Sequence, residues 1–285
     1  MKKNSMWNRN FILVFLCNLL IAFSFHILTP TLPKYVVAMG GSVEMAGLVA
    51  TAFTVTSVIT RPFAGYYIGI KSRKKILMVS VSIIATAILG YMFSPSVAIM
   101  MAFRLLHGIG WGMATTATST VLVASILEEQ IGRAIGLYGI CSSLASVFAP
   151  NLGLQLSDSI GYFYMFLVAF VLAAGGCLLG LLIKESDLRA SKEKPAEKIN
   201  LLNRLFAKET TVPALITLSV GAGMAVITNF IALYADSLRV ENIGYFFTVA
   251  GAVMLFTRPL FGRLSDSRYN RTCLLYTSPS PRDRG

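Results

Sequence analysis

Long apolar stretches alternate with short charged bands along the whole chain. A membrane-spanning helix needs about 20 mostly apolar residues, and stretches with few or no charged side chains define eight such spans. They cover 10–33; 45–60, continued past Arg61; 76–103, which holds the third helix, a break at Pro95 and the start of the fourth; 105–127, which continues the fourth; 134–157; 159–183; 210–235; and 242–257. The pattern predicts an all-α membrane protein with eight helices.

The composition argues against several classes of protein. Hydrophobic residues make up 55% of the 285 residues, charged residues make up 13%, and the mean hydropathy is +0.68. Average soluble domains carry about 25% charged residues, so a soluble enzyme, a disordered chain and a secreted disulfide scaffold are all disfavoured. Three of the four cysteines (Cys17, Cys141 and Cys177) lie in apolar stretches, where a thiol packs as a small hydrophobe. Since no zinc-binding spacing is present, we predict no metal and no cofactor.

The net charge of +12 is spread over bands between the spans. Fifteen Lys and Arg residues lie in the N-terminal segment and in the charged bands after helices two, four and six. The bands on the opposite side of the membrane hold only Lys34 and Arg239. Cytoplasmic loops of membrane proteins are enriched in Lys and Arg, so we predict a cytoplasmic N-terminus, a plasma-membrane location and no nucleic-acid partner. The first stretch is too long for a signal peptide and lacks an Ala-x-Ala-like site, which makes it a transmembrane helix.

The sequence pattern of helices one and two is repeated after helix six. Residues 184–209 are mixed in charge and predict a cytoplasmic linker, with a short amphipathic helix over 199–206. Beyond the linker, Gly244, Thr248 and 257–259 repeat Gly47, Thr51 and 60–62 at an offset of 197 residues. We therefore predict an N-terminal six-helix transmembrane bundle over 1–183, the linker, and a partial C-terminal bundle of two helices over 210–272. Parallel repeats of six helices are typical of one large class of transporters.

Residues 273–285 do not follow this pattern. They resemble the in-frame translation of an adapter from a sequencing library, and the alternative is a natural polar loop between helices eight and nine. On the first interpretation, the natural sequence stops near Thr272 and helices nine to twelve are missing from this sequence. Helices seven and eight would then lack four partners, and we expect them to lie loosely against a compact six-helix bundle.

A glycine and a basic cluster mark the loop between helices two and three. The loop runs from Gly65 to Arg73-Lys74-Lys75, and its repeat copy contains Gly262 and Asp266. It resembles the Gly-x-Leu-Ala-Asp-Arg-x-Gly-Arg-Lys motif of the major facilitator superfamily, except that the acidic position of the first copy is Gly69. The resemblance implies a cytoplasmic gate: Gly65 lets two helices approach closely, and the basic side chains cap helix ends across the two halves. The alternative explanation of the lysines is the positive-inside distribution alone.

Helix four carries Arg104-Leu-Leu-His107-Gly108-Ile-Gly-Trp-Gly112, and Arg104 is the only charged residue between 76 and 127. The stretch resembles the Arg-x-x-Gln/His-Gly-x-Gly-x-Gly motif of proton-driven exporters in the same superfamily. Arg104, His107 and Gly108 share one helix face, and Gly108 and Gly112 form a surface for close helix packing. A charge inside the membrane indicates a functional site; the alternative is that Arg104 extends to the membrane surface.

Helix five contains Ala149-Pro150-Asn-Leu-Gly153. This stretch is similar to the Gly-Pro-x-x-Gly signature of the superfamily's antiporters, with Ala149 in place of the first glycine. Proline removes a backbone hydrogen bond and bends a helix, so the resemblance implies that Pro150 and Gly153 shape the interface on which the two halves rock. The alternative is an ordinary kink in a membrane helix.

Few titratable side chains lie within the predicted spans. His26 and His107 are the only histidines, and histidine exchanges protons near neutral pH; the alternative for each is a hydrogen-bonded packing residue. Helix one lacks the carboxylate that many proton-driven exporters of the superfamily carry there, and Asp158 and Asp236 are predicted to be caps or surface charges at outer helix ends. The predicted pathway for substrate and protons consists of Arg104, His107, Asn18, His26, Asn151, Gln155 and Asn229.

These observations favour a secondary transporter that exports drug-like or small metabolite molecules by proton antiport and alternating access, as a monomer in the lipid bilayer. The alternative is an importer of sugars or organic acids from the same superfamily, although importers of anions usually need more than one buried positive charge. A membrane enzyme would need a carboxylate pair or a nucleophile with its base, and neither is present. The repeat argues against a sensor or scaffold, and the lack of a P-loop argues against ATP-driven transport. Because cavity side chains vary within one fold, the sequence does not identify the substrate.

Overall fold

The computed structural model describes residues 6–70, 72–185, 188, 211–240, 242–253 and 257. The helices are α1 (Arg9–Ala38), α2 (Val43–Ile70), α3 (Arg73–Met92), α4 (Val97–Ala124), a 3-10 turn at Glu128–Gln130, α5 (Ile131–Ser159), α6 (Tyr162–Leu181), α7 (Thr211–Ser237) and α8 (Gly244–Val253). No strand occurs in the described ranges. The predicted all-α fold class is confirmed, and each helix lies within or around an apolar stretch.

Seven of these helices, α1 to α7, are long and apolar enough to cross a membrane, and α8 is a shorter apolar helix over its described length. The break predicted at Pro95 is observed, because α3 ends at Met92 and Ser96 caps the start of α4 by accepting a hydrogen bond from the Ile99 amide. Large apolar side chains cover the outside of the bundle, among them Phe93 and Leu178. Lipid tails are as apolar as these side chains, so the chain is a multi-pass membrane protein.

Two groups of three helices build the first bundle. In one group α1 packs against α5 and α6, and in the other α4 packs against α2 and α3, while α3 and α6 join the groups. Exchanging α1 with α4, α2 with α5, and α3 with α6 converts one group into the other, which is the relation found in inverted structural repeats. Glycine allows the closest contacts: a Cβ added to Gly153 or Gly112 would lie 2.5 Å from the carbonyl oxygen of Ile27 or Ser57.

Hydrogen bonds to the backbone close the end of the bundle at which α1 begins. The Asn10 amide donates to the Lys184 carbonyl at 2.7 Å and accepts from the Lys184 N–H at 3.1 Å. Lys74 Nζ donates to the Leu181 carbonyl at 2.7 Å and so satisfies the end of α6. This cap joins two helices of the same bundle, because the start of α3 lies beside the end of α6, where Ser72 also bonds Glu185. The caps across the two halves that the resemblance implies stay a prediction.

The close helix approach predicted at Gly65 finds no partner among the described residues and stays a prediction. An added Cβ there would meet no atom of the described residues within 4 Å. The α2 backbone instead approaches α4 nearer the middle of the helix, at Phe53 and Ser57, so the contact depends on the glycines of α4. The second copy of the motif, with Gly262 and Asp266, lies outside the described residues, as do the predicted amphipathic helix at 199–206 and the segment 273–285.

The helix α7 lies on the surface of the six-helix bundle and contacts α1. Ala232 of α7, Phe247 of α8 and Leu154 of α5 form a small apolar cluster of their own. Residues 218–227 of α7 are exposed, and the buried apolar residues described for this helix, Ala232 and Ala235, lie in its last turns. The division of the chain into a complete and a partial bundle stays a prediction.

Candidate functional site

A cavity of about 580 Å³ lies between the six-helix bundle and the pair α7 and α8. The helices α2 and α7 supply most of its wall, and α1 and α8 supply further residues. Arg104 comes from α4, and Ser146 and Pro150 come from α5. None of the described residues that line it is an aspartate or a glutamate. We call it the central cavity, because it lies between the segments on the two sides of the predicted linker.

Arg104 is held inside the bundle and is only 3% exposed. Its Cζ atom lies 4.3 Å from the centroid of the Phe53 ring of α2, an attractive cation–π arrangement. The Nε and Nη1 atoms are buried and have no hydrogen-bond partner among the described residues. The side chain therefore does not extend to the membrane surface in this structure, because it lies on the face of α4 that packs against α2.

His107 is fully buried behind the wall of the central cavity. Its Nδ1 atom lies 3.1 Å from the hydroxyl oxygen of Tyr91, and its Nε2 atom has no hydrogen-bond partner among the described residues. The ring packs edge-on against Phe53, with centroids 5.3 Å apart. His107 is thus a hydrogen-bonded interior residue, and any role in proton transfer stays a prediction.

Three residues of the α4 motif face one residue of α2, Phe53. Arg104 and His107 contact the ring of Phe53, and a Cβ added to Gly108 would lie 2.5 Å from the Phe53 carbonyl oxygen. The shared face that the sequence predicted for these residues is observed. Phe53 itself was not predicted, because a phenylalanine in an apolar stretch carries no spacing signal that distinguishes it from lipid-facing residues.

An aromatic cluster joins the two histidines. The ring of Phe25 stacks on Trp111 at 4.2 Å and on Phe53 at 5.2 Å. The same ring lies 5.2 Å from His26 and 6.4 Å from His107, edge-on to both. Phe25, Phe53 and His26 line the central cavity, so an occupant of the cavity would touch the side chains that contact both imidazoles.

The predicted pathway residues are divided between several places. Arg104, His26 and Asn229 line the central cavity, and the Asn229 amide donates to the Ala225 carbonyl at 2.8 Å. Asn18 is buried about two turns before His26 along α1, and it is not among the residues that line the cavity. Asn151 and Gln155 line a second cavity of about 620 Å³, and their side chains are hydrogen-bonded at 3.4 Å. The sequence did not show that these residues lie in different places. The position of a residue along a helix does not tell which side of the helix faces a neighbouring helix.

An ion cluster closes one end of the interface between α7 and the first bundle. Lys34 Nζ lies 3.2 Å from Asp158 Oδ1 and 3.0 Å from Asp236 Oδ2, and only 9% of the Lys34 side chain is exposed. The cluster joins α1, α5 and α7, and both carboxylates also line the second cavity. The two aspartates lie at helix ends and their side chains are exposed, in line with the predicted surface charges, and both are also paired with Lys34. Their shared partner could not be found from residues so far apart in sequence.

The structure also shows where the predicted gating residues lie. Gly108, Gly112 and Gly153 are at close backbone contacts, and Pro150 lines the central cavity one turn before Gly153. Arg73 and Lys74 begin α3 at the closed end of the bundle. The structure shows the packing of these residues, and their part in gating stays a prediction.

Membrane-spanning helices that surround a cavity with one buried guanidinium are typical of secondary transporters. The sequence matches the Major Facilitator Superfamily profile over residues 14–279. The chain therefore belongs to the Major Facilitator Superfamily, whose members are transporters and not enzymes. The resemblance inferred from the helix-four and helix-five motifs is confirmed at the level of the family.

Similar proteins include several bacterial exporters. The chain is 24% identical, over 91% of its length and 67% of the relative, to the multi-drug resistance efflux pump PmrA homolog of Lactococcus lactis. It is 21% identical to multidrug resistance protein 2 of Bacillus subtilis, over 96% of the chain and 72% of the relative. The staphylopine export protein of Staphylococcus aureus is 22% identical over 77% of the chain and 57% of the relative.

Solved structures show the same fold. A bacterial homolog of the human lysosomal transporter Spinster superposes with a TM-score of 0.65 at 16% identity, covering 93% of the chain and 63% of that structure. The human organic anion transporter MFSD10 superposes with a TM-score of 0.55 at 22% identity, covering 68% of the chain and 51% of that structure. The chain thus spans about half to two thirds of the length of these transporters.

Proposed function

We propose that the protein is a proton-coupled exporter of drug-like or small metabolite molecules, acting by alternating access in the plasma membrane. The observation that carries the proposal is the central cavity, which α1, α2, α4 and α5 form together with α7 and α8. Alternating access needs a binding site between two bundles that can rock against each other. The location of the cavity between the six-helix bundle and the pair α7 and α8 supports such a site. The relatives named as efflux or export proteins favour export over the import of sugars or organic acids.

The orientation follows from the charge distribution. Fifteen Lys and Arg residues in the head and the bands after helices two, four and six belong on the cytoplasmic side, together with the N-terminus. The ion cluster of Lys34, Asp158 and Asp236 then lies at the extracellular end. It holds α7 against α1 and α5, and breaking it is the step that opens this end of the protein.

Proton coupling is assigned to the two histidines. His26 lines the cavity and His107 lies behind it, and Phe25 contacts both rings. A substrate that displaces Phe25 changes the surroundings of both imidazoles, so binding and protonation become linked. The partners of the protein are therefore a small-molecule substrate, protons and the lipid bilayer, and the protein works as a monomer.

The test is efflux from energised bacteria that express the complete reading frame. A panel of fluorescent cations, anions and neutral molecules is loaded, and efflux is followed with and without a protonophore. Gly139→Ala serves as the control variant, because an added Cβ at Gly139 meets no described atom within 4 Å. Protonophore-sensitive efflux that the control retains and Arg104→Ala loses supports the proposal. Efflux that persists in de-energised cells contradicts proton coupling.

A further inference from the structure

The guanidinium of Arg104 is an incomplete ionic site. It is 3% exposed, and two of its three nitrogen atoms are buried without a hydrogen-bond partner among the described residues. Buried polar groups are nearly always hydrogen-bonded, and charges inside a membrane protein almost always pair or face a water-filled cavity. The Phe53 ring on one side is a weak substitute for an anion.

A second buried cation in the same protein shows what a satisfied site looks like. Lys34 is also only 9% exposed, but it lies 3.0 to 3.2 Å from two carboxylates. No aspartate or glutamate lines the central cavity in the part of the chain that the structure describes. Arg104 therefore supplies an unneutralised positive charge to the cavity wall, and a ligand that enters the cavity can supply the missing negative charge.

The rest of the cavity wall suits an aromatic body. Phe25, Phe53, Phe230 and Phe247 line it, and the remaining polar groups are hydroxyls, one amide and one imidazole. A volume of about 580 Å³ is within the range of pockets that hold drug-sized ligands. Aromatic rings pack well against one another in offset or edge-on arrangements.

We propose that the central cavity binds monoanionic amphiphiles, in which one carboxylate pairs with Arg104 and an aromatic body packs against the phenylalanine rings. A guanidinium binds a carboxylate through two parallel hydrogen bonds along one edge. Each edge of the Arg104 guanidinium includes one of the two nitrogen atoms that now lack partners, so a carboxylate would satisfy one of them. One cationic side chain matches one anionic group, so dianions and cations bind less well. The proposal takes the location of the site from the proposed function but does not depend on the direction or coupling of transport.

Binding can be measured on the purified protein without any transport. The chain has two tryptophans, and Trp7→Phe leaves Trp111, which stacks on Phe25 at the cavity wall, as the only reporter. Three probes share one phenylalkyl body: 4-phenylbutyrate, 4-phenylbutyramide and 4-phenylbutylamine. A titration of Trp111 fluorescence with each probe, in nanodiscs, gives three dissociation constants, and acetate tests the anionic group without the aromatic body.

In the Trp7→Phe background we expect the carboxylate to bind roughly tenfold more tightly than the amide, which is the range of a charge-assisted hydrogen-bonded pair. The amine and acetate should bind most weakly. Arg104→Gln should bring the carboxylate and the amide to within about twofold of each other, while leaving the amide affinity unchanged. Arg104→Lys, which keeps the charge, should retain part of the preference.

An amine that binds as tightly as the carboxylate in the unsubstituted cavity would overturn the proposal, and this comparison requires no substitution of Arg104. Acetate that binds as tightly as 4-phenylbutyrate would overturn the aromatic part of it. If folded Arg104→Gln still bound the carboxylate more tightly than the amide to the same degree, another residue would hold the anion. That result would also overturn the proposal. Carboxylate-selective binding without any efflux by cells would leave this inference intact and would refute the proposed function instead.

Discussion

The contact between α2 and α4 at Gly108 offers a sharp test of the packing. In Gly108→Ala the new Cβ would lie 2.5 Å from the carbonyl oxygen of Phe53 and close to the Thr56 hydroxyl. Ordinary carbon–oxygen contacts in proteins begin at about 3.3 Å, so the two helices must separate by about 0.8 Å. A backbone atom cannot rotate away as a flexible side chain would, and the whole seam between α2 and α4 has to move.

The size of the effect follows from two opposing contributions. Overpacking a close contact costs about 1–3 kcal/mol, whereas replacing a helical glycine by alanine contributes about 1 kcal/mol of stability. Gly139→Ala on α5 is the matched control, because it gains the same helix propensity and its Cβ meets no described atom within 4 Å. The difference between the two variants isolates the contact and should be about 1–3 kcal/mol.

The assay is thermal unfolding of the purified variants in the same detergent. For a chain of this size, about 2–4 °C of melting temperature corresponds to 1 kcal/mol, so Gly108→Ala should melt roughly 2–12 °C below Gly139→Ala. A Gly108→Ala protein that melts at or above the control would show that α2 and α4 do not meet in this way. The Phe53 contacts of Arg104 and His107 would then be in doubt as well.

Three further predictions concern polar groups inside the helices. In the complete transporter, Arg104→Ala should abolish efflux without lowering the amount of protein in the membrane, because an Arg within a membrane helix opposes insertion by up to about 2.5–3.5 kcal/mol. Parental efflux at matched expression would show that Arg104 has only a packing role. Asp158→Asn and Asp236→Asn should each lower stability by up to about 1 kcal/mol, since the shared lysine keeps one partner. The double variant leaves a buried ammonium unpaired and should lose about 3–5 kcal/mol, so additive melting shifts would contradict a shared partner. Tyr91→Phe removes the hydroxyl that bonds a buried imidazole and should cost about 1–3 kcal/mol in thermal unfolding, whereas Tyr66→Phe, at an exposed position, should cost nearly nothing.

Much of the architecture follows from the sequence. The bilayer requires an apolar stretch of a certain length for every helix, so α1 to α7 could be located by counting charged residues. The motifs on helices four and five also predicted the family, because their glycines and their single arginine are unusual within long apolar stretches. Arg104 was recognised as a candidate for the same reason, because a single charged residue within a long apolar stretch can be identified from the sequence alone.

The tertiary structure alone decided which side chains meet. Phe53, Phe25 and Tyr91 look in the sequence like any aromatic residue of a membrane helix, yet their rings surround Arg104 and His107. Contacts of this kind depend on which helix lies beside which, and on the rotation of each helix about its axis. A membrane helix that is hydrophobic on every side has no polar face, so its sequence indicates neither its neighbours nor its rotation.

The same reason explains the ion cluster and the two cavities. Lys34 is 124 residues from Asp158 in the sequence, and Asp236 belongs to a helix beyond the predicted linker. Charge counting placed all three near the same side of the membrane but could not pair them. Asn151 and Gln155 were grouped with Arg104 because all are polar residues within spans, and the fold assigns them to different cavities. Hydrophobicity and charge determine which segments cross the bilayer, whereas close backbone contacts at Gly108, Gly112 and Gly153 determine how the helices pair and hence which polar groups share a cavity.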